Sequence, residues 1–333
     1  MSNRLFQTVK QGGPFALVET LLPKPSAGQV CIRSRAVSLN AIDWKNLRFG
    51  ALIDSWPTVL GIEGAGVVES VGDGVTAFKP GDKVMAWVQR TQFNGAFQDV
   101  LTANEVTVAK KPEFLNFEEA TSLPIAYLTA LAAIIVGLRV EVPGLSTLHA
   151  VSDNPPKSIL VLGGSSGVGS SAIQLLRLAL PSAVIIATAA PAHHDHLRSL
   201  GASACLARSA QDDAAALREA APVGVDAIVD AVGAGPDSPA VLDALRADGP
   251  KLYTLVISRP GVQLPTGLQA SLFGGQMALD EAPSAMLFLV KLLEEGKYKL
   301  PLKVEVVGSG FESVEKNLDL MPQVSGKKLV VSL

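Results

Sequence analysis

The stretch ILVLGGSSGVGSSAIQLLR, residues 159–177, decides the fold. An apolar strand, a glycine-rich turn and an amphipathic helix follow one another directly, as in dinucleotide-binding βα units. Free N–H groups and the positive dipole end at the start of such a helix face a pyrophosphate. Gly164 and Gly167 permit the tight turn and close approach, and Gly169 lets the helix pack on the strand. The pattern is GxxGxG, with Ser166 at the middle glycine position. It predicts a nicotinamide dinucleotide site at residues 163–169.

The same turn also matches GxSxG, the nucleophile elbow of α/β-hydrolases, with Ser165 as the nucleophile. That chemistry requires an acidic residue and then a histidine later in the chain. The four histidines are His149, His193, His194 and His196, so no histidine follows residue 196. This absence argues against a hydrolase and leaves the dinucleotide site as the prediction.

Outward from the turn, strand and helix patterns alternate. Continuous apolar runs such as residues 159–162 are typical of strands covered on both faces of a parallel sheet. Right-handed βαβ crossovers then predict a doubly wound Rossmann domain at residues 124–269. The predicted strands are 158–164, 183–189, 204–207, 225–232 and 251–256, and the predicted helices are 168–180, 194–200, 212–220 and 239–245.

The first ~120 residues have the short strands and Gly, Pro and Asp turns of a small, partly closed β-barrel. Residues 29–38 alternate, and residues 83–87 form a short strand after the turn KPGD. A helix at 284–295 and a strand at 328–332 end the sequence and are expected to return to the barrel. We therefore predict an α/β protein with a barrel domain at 1–123 and 270–333.

Composition limits the class of protein. The net charge of −3 argues against a nucleic-acid-binding surface. Residues 123–138 are strongly apolar but contain Pro124, Tyr127 and Thr129, which favours a buried helix over a membrane span. The start MSNRLFQTVK has no apolar signal region, and two cysteines are too few for a disulfide framework. We expect a cytoplasmic protein.

The second predicted strand of the Rossmann domain distinguishes the two nicotinamide cofactors. An acidic residue at its end would hold the ribose 2′-hydroxyl of NAD. Here Thr188 is followed by Ala189 and Ala190, without an acid, and then by His193 and His194. This favours the 2′-phosphate of NADPH, although the histidines also fit a solvated helix start. A zinc site from His193 and His196 would lack a third ligand.

With barrel, turn and tail in place, the chain resembles the medium-chain dehydrogenase/reductase superfamily. Within it, the chain is similar to zinc-independent quinone oxidoreductases and fungal trans-acting enoyl reductases. The resemblance implies a GroES-like barrel beside the Rossmann domain. The motifs that carry it are NAIDWK (40–45), LGIEGAGVV (60–68), FKPGDKV (78–84), GAF (95–97), LPIAYLTA (123–130), DAVG (230–233) and VSGKKLV (324–330).

Zinc-dependent relatives carry a cysteine three residues before Asp43, a histidine before Glu63 and usually a cysteine after Leu-Pro. This chain has Asn40, Ile62 and Ile125 at those positions. Isoleucine cannot bind a metal, and one asparagine does not make a zinc site. The resemblance therefore implies hydride chemistry without zinc, on carbon–carbon double bonds conjugated to a carbonyl.

The resemblance also implies roles for single residues. Thr129 is expected to contact the nicotinamide carboxamide, and Val232 and Gly233 to pass near the ribose. Phe273 and Gly274 are candidates to line the nicotinamide, and Lys327 or Lys328 to face the phosphates, although surface positions fit these residues equally well. The remaining residues expected at the cofactor are Gly164, Ser165, Ser166, Gly167, Val168, Gly169, Thr188, His193 and His194.

Three polar side chains are candidates for catalysis beside the substrate. Lys45 and Asn40 could steady an enolate or position a water, and Tyr127 is a candidate proton source. Lys45 also fits a surface lysine, and Tyr127 also fits a packed aromatic residue.

The expected activity is NADPH-dependent reduction of α,β-unsaturated carbonyl compounds. The alternatives are a quinone reductase and a catalytically silent NADPH-binding protein. The partners would be an enone or acyl thioester and, for a trans-acting enzyme, an acyl carrier domain of a polyketide synthase. Lys110 and Lys111 form the only adjacent basic pair outside the C-terminus that could face such a domain. Monomer and homodimer both remain open.

Overall fold

The computed structural model describes residues 2–257 and 264–333. The chain divides into two compact units, Met1–Ile125 with Lys303–Leu333, and Ala126–Leu302. We predicted a return to the first domain at residue 270. In the structure residues 270–302 belong to the second unit, because strand Gln269–Phe273 extends its parallel sheet. The return begins at Lys303.

The first unit contains two sheets. Its elements are β1 (Ser2–Thr8), β2 (Phe15–Leu21), β3 (Gln29–Ser38), α1 (Ala41–Phe49), β4 (Thr58–Val59), β5 (Glu63–Val71), β6 (Lys83–Trp87), β7 (Val100–Asn104), β8 (Val108–Lys110) and α2 (Phe117–Ala120). β2, β1 and β4 form the small sheet. Two strands of the C-terminal tail, β15 (Lys303–Ser309) and β16 (Lys327–Ser332), belong to the large sheet. Its order is β15-β16-β3-β5-β6-β8, with β7 also paired to β3. This is the predicted barrel-like unit.

The register of three strands positions the polar residues described below. β16 pairs antiparallel with β3 so that Val330 faces Ser38 and Val331 faces Val37. Continued by two residues, this register brings Lys328 opposite Asn40, where β3 ends. β3 also pairs with β5, with Val37 opposite Gly64. The first residue of β5, Glu63, therefore lies beside the end of β3.

The second unit has one parallel sheet between helices. Its elements, with the tail, are α3 (Pro124–Ala132), β9 (Ser158–Leu162), α4 (Gly167–Ala179), β10 (Val184–Thr188), α5 (His194–Ser199), β11 (Ala204–Leu206), α6 (Ala214–Ala220), β12 (Ala227–Asp230), β13 (Leu252–Val256), β14 (Gln269–Phe273), α7 (Gly275–Glu281), α8 (Ala285–Glu294), β15 (Lys303–Ser309), α9 (Glu312–Leu318) and β16 (Lys327–Ser332). The order β11-β10-β9-β12-β13-β14 is that of a doubly wound dinucleotide-binding sheet.

One predicted helix has a different form. Residues 239–245 were expected to be α-helical, but Pro239–Ala244 is a 3₁₀ helix with proline at its start. Short helical segments between strands often take this tighter form. The other predicted helices and strands occur with ends shifted by up to two residues.

The stretch Phe117–Gly137 is long and apolar enough to cross a membrane by length and composition, but 83% of its most apolar part is buried inside the protein. Core helices of globular proteins have the same length and composition. Its end, Ala133–Gly137, is π-helical. The burial agrees with the predicted core helix.

Candidate functional site

The glycine turn after β9 is packed so closely that side chains would not fit. Gly163 has φ 71°, and a Cβ on it would lie 2.3 Å from Cγ1 of Val232. A Cβ on Gly164 would lie 2.9 Å from Cβ of Ala187, and one on Gly169 only 2.2 Å from the carbonyl oxygen of Gly163. Contacts under 3.0 Å force the backbone to move. The turn therefore depends on these glycines, as the sequence predicted.

Helix α4 begins directly at the turn. Ser166 is its N-cap, and its Oγ accepts a hydrogen bond from N–H of Gly169 at 3.0 Å. Within the described residues the N–H groups of Gly167 and Val168 have no acceptor, which is normal for the first turn of a helix. These two donors, together with the helix dipole, are the groups that bind a phosphate.

A second loop lies against the turn and is organised by one carboxylate that the sequence reasoning did not single out. Oδ1 of Asp230 accepts hydrogen bonds from N–H of Val232, Gly233 and Ala234. Its Oδ2 accepts from N–H of Gly235 at 2.7 Å. Val232 is held over Gly163 and is 44% exposed. The structure thus brings Val232 and Gly233 next to the glycine turn. In the sequence, the only sign of these four consecutive N–H donors around one carboxylate is the motif DAVG after a strand.

The end of β10 is tied to the same turn through Thr188. Its Oγ1 accepts from N–H of Gly163 at 3.2 Å and from Nε2 of Gln211 at 2.7 Å. Nε2 of His194 donates to the carbonyl oxygen of Ala189 at 3.1 Å, since a carbonyl can only accept. No acidic side chain stands at Ala189 or Ala190. His193 is half-buried in the 3₁₀ turn Pro191–His193.

Helix α3 contributes Thr129 to this region. A Cβ on Gly167 would lie 3.3 Å from Cβ of Ala126, so the start of α3 borders the start of α4. Thr129 lies three residues after Ala126, on the same helix face, and is buried. Phe273 is also fully buried, at the carboxyl end of β14, the sheet edge where ligands of such folds bind. Their contacts with a nicotinamide stay predictions.

Tyr127 occupies a different environment from the one its candidate role needs. It is fully buried, its hydroxyl donates to the carbonyl oxygen of Ala285 at 3.1 Å, and its ring meets that of Tyr298 edge to face at 5.7 Å. Burial raises the pKa of its hydroxyl well above the ordinary value. A tyrosine with its proton committed to a core carbonyl is a structural residue, so the packed-aromatic alternative describes it.

The first unit contains a buried polar cluster formed by Asn40, Glu63 and Lys328. Nζ of Lys328 contacts Oε1 of Glu63 at 2.5 Å and Oδ1 of Asn40. Nδ2 of Asn40 donates to the same Oε1 at 3.0 Å, and N–H of Ile125 donates to Oε2 at 3.0 Å. Asn40 and Ile125, two positions of zinc ligands in the resembling enzymes, therefore meet around Glu63. A lysine ammonium lies among them.

Asp43 is the fourth member of this region and is fully buried. Its Oδ2 accepts from N–H of Asn40 at 3.0 Å, while its Oδ1 has no partner among the described residues. Burial is the main cause that raises the pKa of Asp43 to about 7, and nearby Lys328 opposes the shift. The sequence reasoning treated Asp43 and Glu63 as structural carboxylates and did not foresee their link to Lys328.

The other predicted lysines lie elsewhere. Lys45 is half-buried on α1, about 200° around the helix from Asp43, so it is not part of the cluster. Lys327 pairs with Glu305 at 2.9 Å. Both roles stay predictions. Lys111 is buried, with Nζ donating to the carbonyl oxygen of Pro112, and Lys110 pairs with Asp82 at 3.1 Å. The adjacent basic pair is therefore no free basic surface, because both ammonium groups bind oxygens of the protein itself.

Across residues 2–257 and 264–333, no group of three or more His, Cys, Asp and Glu side chains is placed to hold a metal. The groups present are backbone donors at a helix start in the second unit and a buried ammonium held by an amide and a carboxylate in the first. The former can bind phosphates, and the latter can stabilise negative charge on an oxygen.

Comparison with known proteins places both units. The family model "Alcohol dehydrogenase GroES-like domain" matches residues 26–113, and "Zinc-binding dehydrogenase" matches residues 167–255. The name of the second model describes that family. In this chain, isoleucine stands at residues 62 and 125, where the resemblance to zinc-dependent enzymes expects metal ligands.

Similar proteins include fungal enzymes. A dehydrogenase of Aspergillus niger is 32% identical, over 98% of this chain and 99% of its own. The trans-enoyl reductase himH of Aspergillus japonicus is 32% identical, over 92% of this chain and 90% of its own. Among solved structures, the quinone oxidoreductase from Coxiella burnetii has a TM-score of 0.76 at 26% identity and covers 100% of both chains.

Proposed function

Because this chain belongs to the medium-chain dehydrogenase/reductase superfamily of NAD(P)-binding oxidoreductases, we propose that it is a metal-independent, NADPH-dependent reductase of carbon–carbon double bonds conjugated to a carbonyl. The observation that carries the proposal is the cluster in the first unit. Where relatives with zinc chemistry have metal ligands, this chain holds the ammonium of Lys328 between Asn40 and Glu63. Such a group can stabilise an enolate but cannot generate a zinc alkoxide.

The glycine turn fits a dinucleotide. Added side chains at Gly163, Gly164 or Gly169 would clash with the protein itself, so close packing keeps these three positions of the turn free of side chains. The N–H groups of Gly167 and Val168, with Ser165 and Ser166 beside them, would hold the pyrophosphate. Thr188, Val232 and Gly233 surround the same turn, and Thr129 lies on the neighbouring helix face. When bound, the nicotinamide supplies a hydride to the β-carbon of the substrate.

The preference for NADPH is supported by the end of β10. No carboxylate stands at Ala189 or Ala190 to hold a 2′-hydroxyl or to repel a 2′-phosphate. His193 and His194 lie directly after it. Because Nε2 of His194 donates to a backbone carbonyl, only Nδ1 of that ring is available to a ligand, so the proposal of NADPH rests mainly on the missing acid.

Relatives support the acceptor class in two ways. The name trans-enoyl reductase belongs to a relative that covers most of this chain, and the name quinone oxidoreductase belongs to a structural neighbour. Quinone reduction, with the same hydride and an electron-poor ring, is therefore the second candidate. We propose a small-molecule enone or acyl thioester as substrate, in the cytoplasm. An acyl carrier partner would not use Lys110 and Lys111, since both are engaged within the protein.

A single assay series tests the proposal. Purified protein is mixed with NADPH or NADH and either a crotonyl thioester or a benzoquinone, and cofactor oxidation is followed by absorbance. We expect turnover of the thioester, with NADPH favoured. Turnover of quinone alone would overturn the enoyl assignment in favour of the second candidate. NADPH binding without turnover of either acceptor would identify a silent binding protein.

A further inference from the structure

The three members of the buried cluster differ in how many of their polar atoms already have a hydrogen-bond partner. Oε1 of Glu63 accepts from Asn40 and Lys328, and Oε2 accepts from N–H of Ile125. Oδ1 of Asn40 accepts from Lys328, and its Nδ2 donates to Glu63 and, at 3.5 Å, to the carbonyl oxygen of Ser38. The polar atoms of Glu63 and Asn40 are therefore occupied by the protein itself.

Among Asn40, Glu63 and Lys328, it is Lys328 that has an unused donor. An ammonium group has three N–H donors, and Lys328 uses two of them, on Asn40 and Glu63. Its third N–H has no acceptor in the part of the chain that the structure describes. Its side chain is 9% exposed, whereas that of Glu63 is 0% exposed. Lys328 thus lies at the accessible edge of the cluster, with its other two donors fixing its position.

A buried ion pair is not needed to stabilise the interior of the first unit. Replacing a buried ion pair by apolar residues of similar size is often neutral or stabilising. Stability therefore does not explain why a lysine and a glutamate are buried together here. Asp43 is only about half ionised at neutral pH, because burial raises its pKa to about 7. The N–H of Lys328 that remains unused can be donated to an oxygen of a ligand.

We propose that Lys328 is a catalytic residue that donates its third N–H to the carbonyl oxygen of the substrate. In the reaction, the β-carbon accepts a hydride, the π electrons of the double bond move toward the carbonyl, and the oxygen becomes an enolate oxygen. Lys328 stabilises that charge without losing its proton. The α-carbon then accepts a proton from water, which gives the saturated carbonyl compound and NADP⁺. This step rests on the function proposed above.

The test separates a donor role from a structural role by removing the whole ion pair. Lys328→Met alone leaves the Glu63 carboxylate buried and unpaired, and unfolding is the expected result. The double variant Lys328→Met/Glu63→Gln leaves no unpaired charge. Glu63→Gln keeps the ammonium with two amide oxygens as acceptors, that of the new side chain and Oδ1 of Asn40, so it is expected to be less stable than the wild type and is assayed below its unfolding temperature. Lys316→Met, on the exposed face of α9, is the control for a lost lysine. Thermal unfolding and NADPH binding by fluorescence confirm that each variant is folded.

For the double variant we expect turnover of a crotonyl thioester to fall by about 100-fold or more relative to Glu63→Gln, as on removal of one oxyanion donor. NADPH affinity is expected to stay within about twofold, because neither substitution removes a group proposed to bind NADPH. A tenfold change in affinity would correspond to about 1.4 kcal/mol. Lys316→Met keeps wild-type turnover.

A spectroscopic measurement checks the contact without turnover. A crotonyl thioester with a ¹³C carbonyl is bound in the presence of NADP⁺, which cannot donate a hydride. The carbonyl stretch is expected at lower frequency in the wild type and in Glu63→Gln than in the double variant. If the double variant matches Glu63→Gln in both turnover and carbonyl frequency, the role of Lys328 is overturned while the proposed function stands. If the wild type reduces no enone at all, the proposed function fails, and the role of Lys328 with it.

Discussion

The glycine turn and the Lys328 cluster are two binding arrangements built on opposite principles. The turn uses backbone atoms from one continuous stretch, and its glycines matter because they present no side chains. The cluster uses side chains that are far apart in sequence, with Lys328 265 positions after Glu63. A methyl group added to a glycine disrupts the turn, whereas the loss of one side chain leaves another member of the cluster unpaired. The following variants test this difference, from the largest expected effect to the smallest.

Glu63→Ala is expected to have the largest effect on stability. It leaves the ammonium of Lys328 buried with Asn40 as its remaining acceptor. Breaking one side of a buried ion pair costs about 3–5 kcal/mol. Urea unfolding measures the loss, and the double variant Lys328→Met/Glu63→Gln is the matched control. Equal stability of the two proteins would mean that the cluster does not depend on pairing.

Gly169→Ala tests the turn by adding one methyl group. The new Cβ would lie 2.2 Å from the carbonyl oxygen of Gly163, so the start of α4 must shift away from the turn. Overpacking of this kind costs about 1–3 kcal/mol, and we expect NADPH affinity to fall by a comparable amount. Val184→Ile is the control, because it also adds one methyl group, but on an exposed side chain at the start of β10. Fluorescence titration that finds equal losses in both variants would contradict the geometric argument.

Asp43→Asn tests the environment of the cluster through pH. Burial raises the pKa of Asp43 to about 7 in the folded protein, from 3.8 for an exposed aspartate. Between these values the folded state holds a proton that the unfolded state has released, so stability falls as pH rises. The slope is about 1.4 kcal/mol per pH unit between pH 5 and 6. The variant lacks this contribution, and the difference between the two unfolding curves isolates it. Parallel curves would show an ordinary carboxylate.

Ala190→Asp tests the cofactor preference at the half-buried residue after β10. An acid here would repel a 2′-phosphate and could hold a 2′-hydroxyl. We expect the ratio of NADPH to NADH affinity to fall by about tenfold, or about 1.4 kcal/mol. Ala190→Asn, without the charge, is the control. An unchanged ratio in the aspartate variant would place the selectivity elsewhere.

Tyr127→Phe is expected to have the smallest effect. It removes the hydrogen bond to the carbonyl oxygen of Ala285 and costs about 1 kcal/mol of stability. Turnover is expected to be retained, because the hydroxyl is committed to the core. A large loss of turnover with unchanged stability would restore Tyr127 as a proton source.

The sequence was informative where structure depends on neighbours in the chain. The strand, turn and helix at residues 159–177 follow from local periodicity, and the structure has them within two residues. The barrel-like sheet and the return of the tail to β3 were also confirmed. The return point was placed too early, because strand Gln269–Phe273 has no local feature that assigns it to one sheet or the other.

The cluster was not predictable in the same way. Asn40 was identified as a polar candidate, and Ile62 and Ile125 as positions without ligands. Lys328 was considered only as an alternative to Lys327 beside the cofactor phosphates, and no link to Asn40 or Glu63 was predicted. The partner of Lys328 depends on the register between β16 and β3, which no local pattern specifies. One signal was present: Lys328 precedes the apolar run Leu-Val-Val, where an isolated charge on a buried strand calls for a partner.

The register of β16 also has a consequence for biosynthesis. Residues 126–302, the entire second unit, are translated between the first strands of the barrel and the strand that carries Lys328. At typical elongation rates, Lys328 is synthesised on the order of tens of seconds after Glu63. A nascent chain can therefore complete the glycine turn before the barrel is complete. A product truncated within the second unit would lack the cation altogether, so the reductase becomes active only once both units have been made.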